Sequence, residues 1–344
     1  MSTVNIIIPV YNTEDYLSEL FDSIIAQTYQ DYRLFVVNDC STDNSEDVIA
    51  SYQTRFDGKM IYVRNDHNIK LGMTRNRGLD EAEKYPSKYI AFLDSDDWIE
   101  PDYLKSMIDL AEKTDAGIVV CGIERFEDKT GNVLCDEAVN GKRVSIKDDV
   151  NMYELAYINP AAYNKLYRSE LLQGFRYKPL LRSEDTCYLF DILQNVETIE
   201  FTNKIGYHYR VREDSLTGTV MWNVCESMMT GFSELFAKLE KVPITYRAEL
   251  ETQAFIRIAC GGVSRASFQN MKNVNTYVNK TKEYFDKTMP SWRKNEYLSL
   301  GLNNSSLKAF FLRICALLYK MGMYGVFVRT YYIMLKVLKK EVRV

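Results

Sequence analysis

The first third of the chain alternates short apolar runs with stretches of helical periodicity. Runs rich in β-branched and aromatic residues predict five strands, at residues 4–10, 33–37, 60–64, 89–93 and 116–121. Apolar residues at helical spacing predict a first helix with Glu14 and Asp15 in its first turn and the apolar residues among 17–25 on one face, capped by Asn12 or Thr13. Further helices are predicted at residues 45–55 and 71–84, and a fourth begins near Pro101. Strands and helices that alternate in this order form a parallel sheet covered on both faces. We therefore expect an α/β fold with a mostly parallel, doubly wound sheet.

The pattern changes in the second half of the chain. Loops rich in tyrosine and arginine follow residue 160, and from Met221 onward apolar residues recur at helical spacing. A length of 344 residues with 46% hydrophobic residues is sufficient for a large core with an appendage. The sequence predicts an α/β domain at residues 1–218 and a mainly helical C-terminal region at residues 219–344.

Polar residues cluster where the predicted strands end. The clusters that follow the first four strands are Pro9 to Asn12, Asn38-Asp39, Asn65 to Asn68 and Asp94 to Asp97. Ligands of doubly wound proteins bind outside the carboxyl ends of the strands. We therefore expect these four loops to meet at one crevice.

The run Asp94-Ser95-Asp96-Asp97 places three acids within four residues at the end of an apolar strand. A divalent cation would relieve the repulsion between them, and hard oxygen ligands favour magnesium or manganese. Only two histidines and no C-x-x-C pair occur in the chain, which excludes a poly-histidine or cysteine metal site. The alternative is an acidic turn in which Asp97 caps the helix that follows.

The chain contains neither of the common glycine-rich phosphate loops. No G-x-G-x-x-G follows the first strand and no Gly-Lys-Ser or Gly-Lys-Thr occurs, so a dinucleotide cradle and a P-loop are excluded. A bound diphosphate would need a metal on Asp96, together with Arg75 and later basic residues. For Arg75, which lies between Gly72 and Gly78, a solvated helix face is the alternative interpretation.

Five motifs in order resemble the family 2 glycosyltransferases of the GT-A fold, and the resemblance covers residues 3–217. The motifs are Ile6 to Asn12, Asn38 to Asp43, Arg75-Asn76-x-Gly78, Asp94 to Asp97 and Ser183-Glu184-Asp185. The resemblance implies an inverting enzyme that takes a sugar from a nucleotide sugar, usually a UDP-sugar, with Mn²⁺ or Mg²⁺ as cofactor. Asn38 and Cys40 depart from the family pattern, which commonly has aspartate and glycine there.

The resemblance also implies roles for residues on the donor side of the crevice. Residues that would hold the nucleoside are Pro9, Tyr11, Asn12, Asp39, Arg75, Asp94 and Ser95. Asp96 would ligate the metal, and Asp97 could assist it. In the segment Tyr207 to Ser215, His208 would ligate metal or phosphate, and Arg210, Arg212 and Ser215 would contact phosphate oxygens. A surface loop with one half-buried histidine is the alternative for this segment.

Inverting transfer needs a base that removes the proton of the acceptor hydroxyl. By the family pattern that base is Asp185, and Glu184 could hold the acceptor. The alternative is that Ser183, Glu184 and Asp185 cap the apolar helix that follows them. The implied acceptor is a surface glycan, a glycolipid or a glycoprotein, and this acceptor class is an analogy.

The last 40 residues are basic and amphipathic. Residues 305–344 contain eight lysines or arginines and one acid. The net charge of the whole chain is −4, which gives no sign of nucleic-acid binding. Such helices would contact an anionic membrane peripherally, or pack against another subunit or their own domain. The N-terminus lacks a leader pattern and no run of about 18 apolar residues occurs, so we expect a cytoplasmic protein.

Two rival functions are compatible with an acidic metal site on a parallel sheet. A nucleotidyltransferase would normally carry a glycine-rich basic loop after the first strand, which Val10 to Glu14 does not provide. A sugar-nucleotide-binding subunit without catalysis would not need Asp185 beside an intact acidic run. We therefore expect a glycosyltransferase.

Overall fold

The computed structural model describes residues 2–137, 139, 141–212, 221–301 and 306–337. The chain divides into two compact units. The first comprises Met1–Asn151, Pro160–Pro179 and Tyr188–Arg212, and the second comprises Met152–Asn159, Leu180–Cys187 and Glu213–Val344.

The first unit is built on one sheet with helices packed against it. Its strands are β1 Val4–Val10, β2 Tyr32–Asn38, β3 Met60–Arg64, β4 Tyr89–Phe92, β5 Trp98–Ile99, β6 Ile118–Glu127, β7 Val133–Glu137, β8 Arg143–Ser145, β9 Lys165–Arg168 and β10 Thr198–Val211. Its helices are α1 Leu17–Ile25, α2 Ser45–Gln53, α3 Leu71–Ala82 and α4 Tyr103–Thr114. The strands and helices expected in the first third of the chain are therefore present, with shifted ends.

The strand order is β3-β2-β1-β4-β9-β6-β10-β5, with β7 beside β6 and β8 beside β10. β1 to β4 pair in parallel, as the alternating pattern predicts. β9 then lies between β4 and β6 and runs antiparallel to both. The expected α/β fold is confirmed, and its sheet is mixed, because β5, β7 and β8 also pair antiparallel with their neighbours.

The central strand β1 is buried along its whole length. Ile6 and Ile8 belong to the core cluster that includes Leu20 and Phe21 of α1. Ile7 points to the other face, toward Gly78 of α3. Burial on both faces is why β1 is a continuous apolar run rather than an alternating one.

The acidic run is followed by a strand rather than by a helix. β5 pairs antiparallel with β10, with Trp98 opposite His208 and Ile99 opposite Tyr207. α4 begins only at Tyr103, after Asp102. The alternative in which Asp97 caps a helix is therefore wrong.

The second unit is helical. Its helices are α5 Met152–Ala156, α6 Glu184–Ile192, which continues into the first unit, α7 Trp222–Leu239, α8 Arg247–Phe255, α9 Ser264–Gln269, α10 Val274–Thr288, α11 Leu307–Lys320 and α12 Tyr324–Val337. A π-helical stretch, Ile256–Val263, joins α8 to α9. In the described part of the chain, no helix is long and apolar enough to cross a membrane.

The predicted boundary at residue 218 assumes that the two units divide at a single point in the chain. In the structure, each unit instead contains several separate segments. Residues 152–159 precede that boundary and belong to the helical unit. The amide of Gln253 donates to the carbonyls of Ala156 and Ile158 at 3.1 and 3.0 Å, and Tyr157 donates to the carbonyl of Tyr297. These buried hydrogen bonds hold the segment in the helical unit, and they join residues too distant in sequence to be recognised there.

Gly78 has no space for a side chain. A Cβ built at this position would lie 2.4 Å from Cγ2 of Ile7 in β1. Gly78→Ala would gain about 1 kcal/mol of helix propensity but should lose more through the clash, for a net cost of about 1–3 kcal/mol. Urea unfolding measures this difference. Gly301→Ala, where a Cβ meets nothing within 4 Å, is the control, and equal midpoints for both variants would contradict the expectation.

Candidate functional site

The loops after β1 and β2 are hydrogen-bonded to each other. Asn12 has a φ of 52°, and its side-chain oxygen accepts from the backbone N–H of Thr42 at 2.8 Å. Its own N–H donates to the hydroxyl of Ser41 at 3.1 Å. Pro9 lies in the parallel register of β1, while the neighbouring Tyr11 is 46% exposed. The Tyr11 ring is thus accessible to a planar ligand.

Asp39 ties the second loop to the third. Its buried carboxylate accepts from the Asn65 amide at 2.9 Å and from the backbone N–H groups of Ile69 and Lys70 at 2.9 and 3.0 Å. These hydrogen bonds offset the cost of burying the charge. Cys40, directly after it, has a φ of 61°, the conformation that explains why glycine is common at this position in the family.

Arg75 forms a buried ion pair with the acidic run. Its Nη2 lies 2.7 Å from Oδ1 of Asp94, and its guanidinium lies 5.5 Å from the centre of the Tyr177 ring. The arginine side chain is completely buried. The solvated-face alternative for Arg75 is therefore wrong, and the pair fixes the orientation of the Asp94 carboxylate.

Ser95 connects the acidic run to the first loop. The Thr13 hydroxyl donates to the Ser95 hydroxyl at 3.0 Å, and both residues are buried. The Thr13 N–H in turn donates to Ser45 at the start of α2. In the structure Ser95 therefore holds two loops of the crevice together, and its predicted role in binding the nucleoside stays a prediction.

Asp97 anchors the acidic run to β10. Its carboxylate accepts from the hydroxyl of Tyr207 at 2.6 Å and from the backbone N–H of Arg210 at 2.8 Å. Burial, and then the neighbouring charges of Asp96 and Asp94, raise the pKa of Asp97 well above its usual range. Asp97 has almost no exposed surface, which makes it a structural support for its neighbours.

Asp96 is the most exposed carboxylate of the acidic run. Its side chain is 25% exposed, and one oxygen lies 3.5 Å from Nε of Arg212. Burial, followed by the charge of Asp94, raises the pKa of Asp96 from 3.8 to about 6, although Arg212 and Arg210 act in the opposite direction. The charges of Asp94 and Asp96 therefore repel each other, and a bound cation would reduce this repulsion.

Arg210 is enclosed by protein groups. Its guanidinium bonds the carbonyl of Asp96 at 2.8 Å and the carboxylate of Asp128 at 2.9 Å, and it pairs with Glu19. It also lies 4.8 Å from the centre of the Tyr16 ring, on which Arg212 packs as well. In this conformation Arg210 connects Asp96, Asp128 and Glu19. Its predicted contact with phosphate stays a prediction.

His208 lies within a set of polar and aromatic contacts. Its two ring nitrogens are each 2.9 Å from a carboxylate, that of Glu124 and that of Glu100. The ring stacks on Trp98 with centroids 3.5 Å apart. The prediction that His208 ligates a metal or phosphate gains no support from this geometry. The contacts of His208 instead connect β5 and β6 to β10.

Glu184 and Asp185 lie in the first turn of α6, in the second unit, and both are half-buried. Ser183, before the helix, has a φ of 63°, and its hydroxyl lies 3.2 Å from the sulfur of Met228. The roles of both carboxylates in transfer stay predictions. Ser215 lies outside the described residues.

The structure thus brings most of the predicted donor-side residues of the first unit together at the carboxyl ends of β1, β2 and β4. Sequence reasoning missed the residues that support them, namely Thr13, Tyr16, Glu19, Asp128 and Tyr207. Each makes its contact across at least 80 positions of sequence. No local pattern could have indicated these partners.

Residues 5–175 match the model of the family described as Glycosyl transferase family 2. Glycosyltransferase GlyA of Streptococcus pneumoniae is 28% identical over 80% of the chain and 41% of its own length. Poly(ribitol-phosphate) beta-glucosyltransferase of Bacillus spizizenii is 24% identical over 79% of the chain and also 41% of its own length. The chain thus spans about two fifths of these two relatives.

Solved structures show the same fold. S. aureus TarS 1-349 in complex with UDP-GlcNAc has a TM-score of 0.70 at 17% identity, covering 99% of this chain and 93% of that one. Mannosyltransferase PcManGT of Pyrobaculum calidifontis, in complex with GDP-Man and Mn²⁺, has a TM-score of 0.54 at 15% identity and covers 99% of this chain and 88% of that one. The fold is GT-A, and the match of residues 5–175 shows that the chain belongs to the family 2 glycosyltransferases.

Proposed function

We propose that this glycosyltransferase is metal-dependent and inverting, and that it moves a sugar from a UDP-sugar to an acceptor hydroxyl. The observation that carries the proposal is the acidic run at the end of β4. There Arg75 orients Asp94, Tyr207 anchors Asp97, and Asp96 retains a partly exposed carboxylate with a raised pKa. Such an arrangement suits the metal-bound diphosphate of a nucleotide sugar.

The donor would lie with its base at the loops after β1 and β2. The exposed ring of Tyr11 supports stacking on a base, and the fixed carboxylate of Asp39 supports a hydrogen bond to it. Asp94, oriented by Arg75, would face the ribose. TarS has been solved with UDP-GlcNAc, which favours a UDP-sugar over other nucleotide sugars for this chain.

Asp96 and Asp94 fit a hard divalent cation, because both offer carboxylate oxygens and the charge of Asp94 still raises the pKa of Asp96 despite the nearby arginines. Among the described residues no group of three or more His, Cys, Asp or Glu forms a complete metal site. Oxygens of the diphosphate and water would therefore have to complete the coordination. When bound, Mn²⁺ or Mg²⁺ would supply positive charge to the departing diphosphate. The complex of PcManGT with Mn²⁺ supports this choice.

The chemical step in this proposal is a single displacement. The acceptor oxygen forms a bond to the anomeric carbon from the face opposite the diphosphate, and the bond from that carbon to the diphosphate oxygen breaks. The Asp185 carboxylate takes the acceptor proton, and Glu184 holds the acceptor. Arg212, beside Asp96, offers positive charge to the phosphates.

The acceptor we propose is a bacterial surface polymer, glycolipid or glycoprotein. The similarity to poly(ribitol-phosphate) beta-glucosyltransferase favours the first, a polyol-phosphate chain bearing free hydroxyl groups. A cytoplasmic location, where UDP-sugars are available, belongs to the same proposal.

Asp185→Asn tests the base. The variant should bind UDP with Mn²⁺ as the wild type does but transfer sugar about 10²–10⁴-fold more slowly, because the amide does not accept the proton. Calorimetry of UDP binding and single-turnover transfer separate the two effects. The control is Glu184→Gln in the same helical turn, which should affect the acceptor KM more than the rate. Near-normal transfer by Asp185→Asn would remove this residue as the base.

Asp96→Asn tests the raised pKa of Asp96 by the pH dependence of stability, measured in the absence of metal. The pKa of Asp96 is raised from 3.8 to about 6 in the folded protein. Between these two pH values the folded protein binds more protons than the unfolded chain, so the free energy of unfolding falls as pH rises through this range. The wild type should lose about 1 kcal/mol relative to Asp96→Asn between about pH 5 and pH 7.5. Urea unfolding with chelator measures the difference. Asp66→Asn, which removes an exposed carboxylate, is the control for the loss of one charge. A flat difference between the wild type and Asp96→Asn would contradict the raised pKa.

Arg210 and Arg212 should respond differently to the same substitution. Arg210→Met removes a buried guanidinium that bonds the carbonyl of Asp96 and the carboxylate of Asp128, and should cost about 1–3 kcal/mol of stability. Arg212→Met should change stability by less than about 1 kcal/mol and weaken binding of UDP with Mn²⁺ about tenfold. Thermal unfolding and calorimetry measure the two quantities. The reverse pattern would show that Arg210, rather than Arg212, contacts the phosphates.

A further inference from the structure

The outward faces of α11 and α12 are apolar. Among the described residues, more than half of the large hydrophobic side chains that are exposed lie between residues 307 and 334. We call the following set the hairpin face: Leu307, Phe310, Phe311, Leu317, Met321, Met323, Val326, Ile333 and Met334. In α11, Phe310 and Phe311 lie three and four positions after Leu307, and Leu317 lies seven after Phe310, which places them along one side of the helix. A surface of this kind normally marks an interaction site.

The opposite sides of the two helices already pack within the second unit. Tyr319 of α11 is buried and shares a hydrogen bond of 2.6 Å with Thr281 of α10. Tyr324 of α12 is buried and shares one of 2.9 Å with Ser264. The hairpin face is therefore not the side that the fold uses for its own core.

The two helices present a continuous surface. The rings of Phe311 in α11 and Phe327 in α12 lie 5.9 Å apart, and Met321 and Met323 are exposed in the turn between the helices. Exposed apolar residues therefore run from one helix across the turn to the other.

The charge of this region has one sign. From residue 297 to residue 340 the sequence contains no aspartate or glutamate. The same stretch contains the basic residues Lys308, Arg313, Lys320, Arg329, Lys336, Lys339 and Lys340. Of these, Arg313 is buried and bonds Tyr157 and the carbonyl of Tyr297, which leaves six other basic residues in this stretch of the sequence.

This combination of apolar area and uniform positive charge decides between two occupants. A second copy of the chain, placed symmetrically on the hairpin face, would bring like charges together. An anionic lipid surface accepts apolar side chains at its acyl boundary and attracts lysine and arginine through its phosphates. We propose that the hairpin face docks the enzyme on the surface of an anionic lipid bilayer.

The test is co-sedimentation of the full chain with vesicles. Vesicles of phosphatidylcholine mixed with anionic phosphatidylglycerol should bind the wild type, and vesicles of phosphatidylcholine alone should bind it far less. Binding should weaken as salt is added, because salt screens the attraction. Equal binding to both vesicle types, or to neither, would overturn the proposal.

A pair of substitutions locates the surface. Phe311→Glu combined with Ile333→Glu changes side chains that are 48% and 61% exposed, and should weaken binding at least about tenfold. The matched control is Val133→Glu combined with Leu134→Glu in β7, at residues that are 55% and 43% exposed. The control adds the same charge and removes apolar surface elsewhere, so it should bind like the wild type. Unchanged binding by the first pair would overturn the proposal.

Light scattering tests the alternative, in which a second copy of the chain covers the hairpin face. If the wild type forms a dimer that the Phe311 and Ile333 pair abolishes, and vesicles are not bound, the hairpin face belongs to a second copy and the lipid proposal fails. Unfolding midpoints show whether each variant is folded. Vesicle binding is measured without donor or acceptor, so its failure is distinguishable from a failure of sugar transfer.

Discussion

The crowding of negative charge at the end of β4 is the constraint on which the first unit depends. Three carboxylates follow one another across a single turn, and burial raises the pKa of two of them. Such a cluster costs free energy unless surrounding groups offset it. The protein offsets it from several directions, with Arg75 from α3, Tyr207 from β10 and Arg212 from the end of the sheet.

The three carboxylates have different surroundings, and this separates what each can do. Asp97 is buried and fully occupied by donors from β10, so it positions the turn. Asp94 is paired with a buried arginine, which fixes its direction. Asp96 is the one that combines partial exposure with an elevated pKa, and this is why we assign the cation to it. The difference arises from packing, since the three residues are chemically identical.

The basic residues at the end of β10 divide in the same way. Alternate residues of a strand point to opposite faces, so His208 and Arg210 share a face. Both are engaged by carboxylates from other elements, His208 by Glu100 and Glu124, and Arg210 by Asp128 and Glu19. They hold the sheet around the acidic run, while Arg212 lies beside Asp96 and is the arginine that we propose for the phosphates. The sequence suggests a ligand contact for all three residues, because it does not show which side chains are already satisfied by other residues of the protein.

The sequence by itself determined the alternating elements, the burial of β1 and the gathering of polar residues at the strand ends. These are local properties, set by the spacing of apolar residues and by the rule that parallel strands end at one edge. It also identified the family, because each motif consists of residues close together in the sequence. Only the tertiary structure decided that β9 enters the sheet in the opposite direction, that residues 152–159 join the helical unit, that Arg75 is buried on Asp94, and that Asp97 leads into a strand. Each of these depends on a contact between residues far apart in the chain, whose energy no local pattern contains.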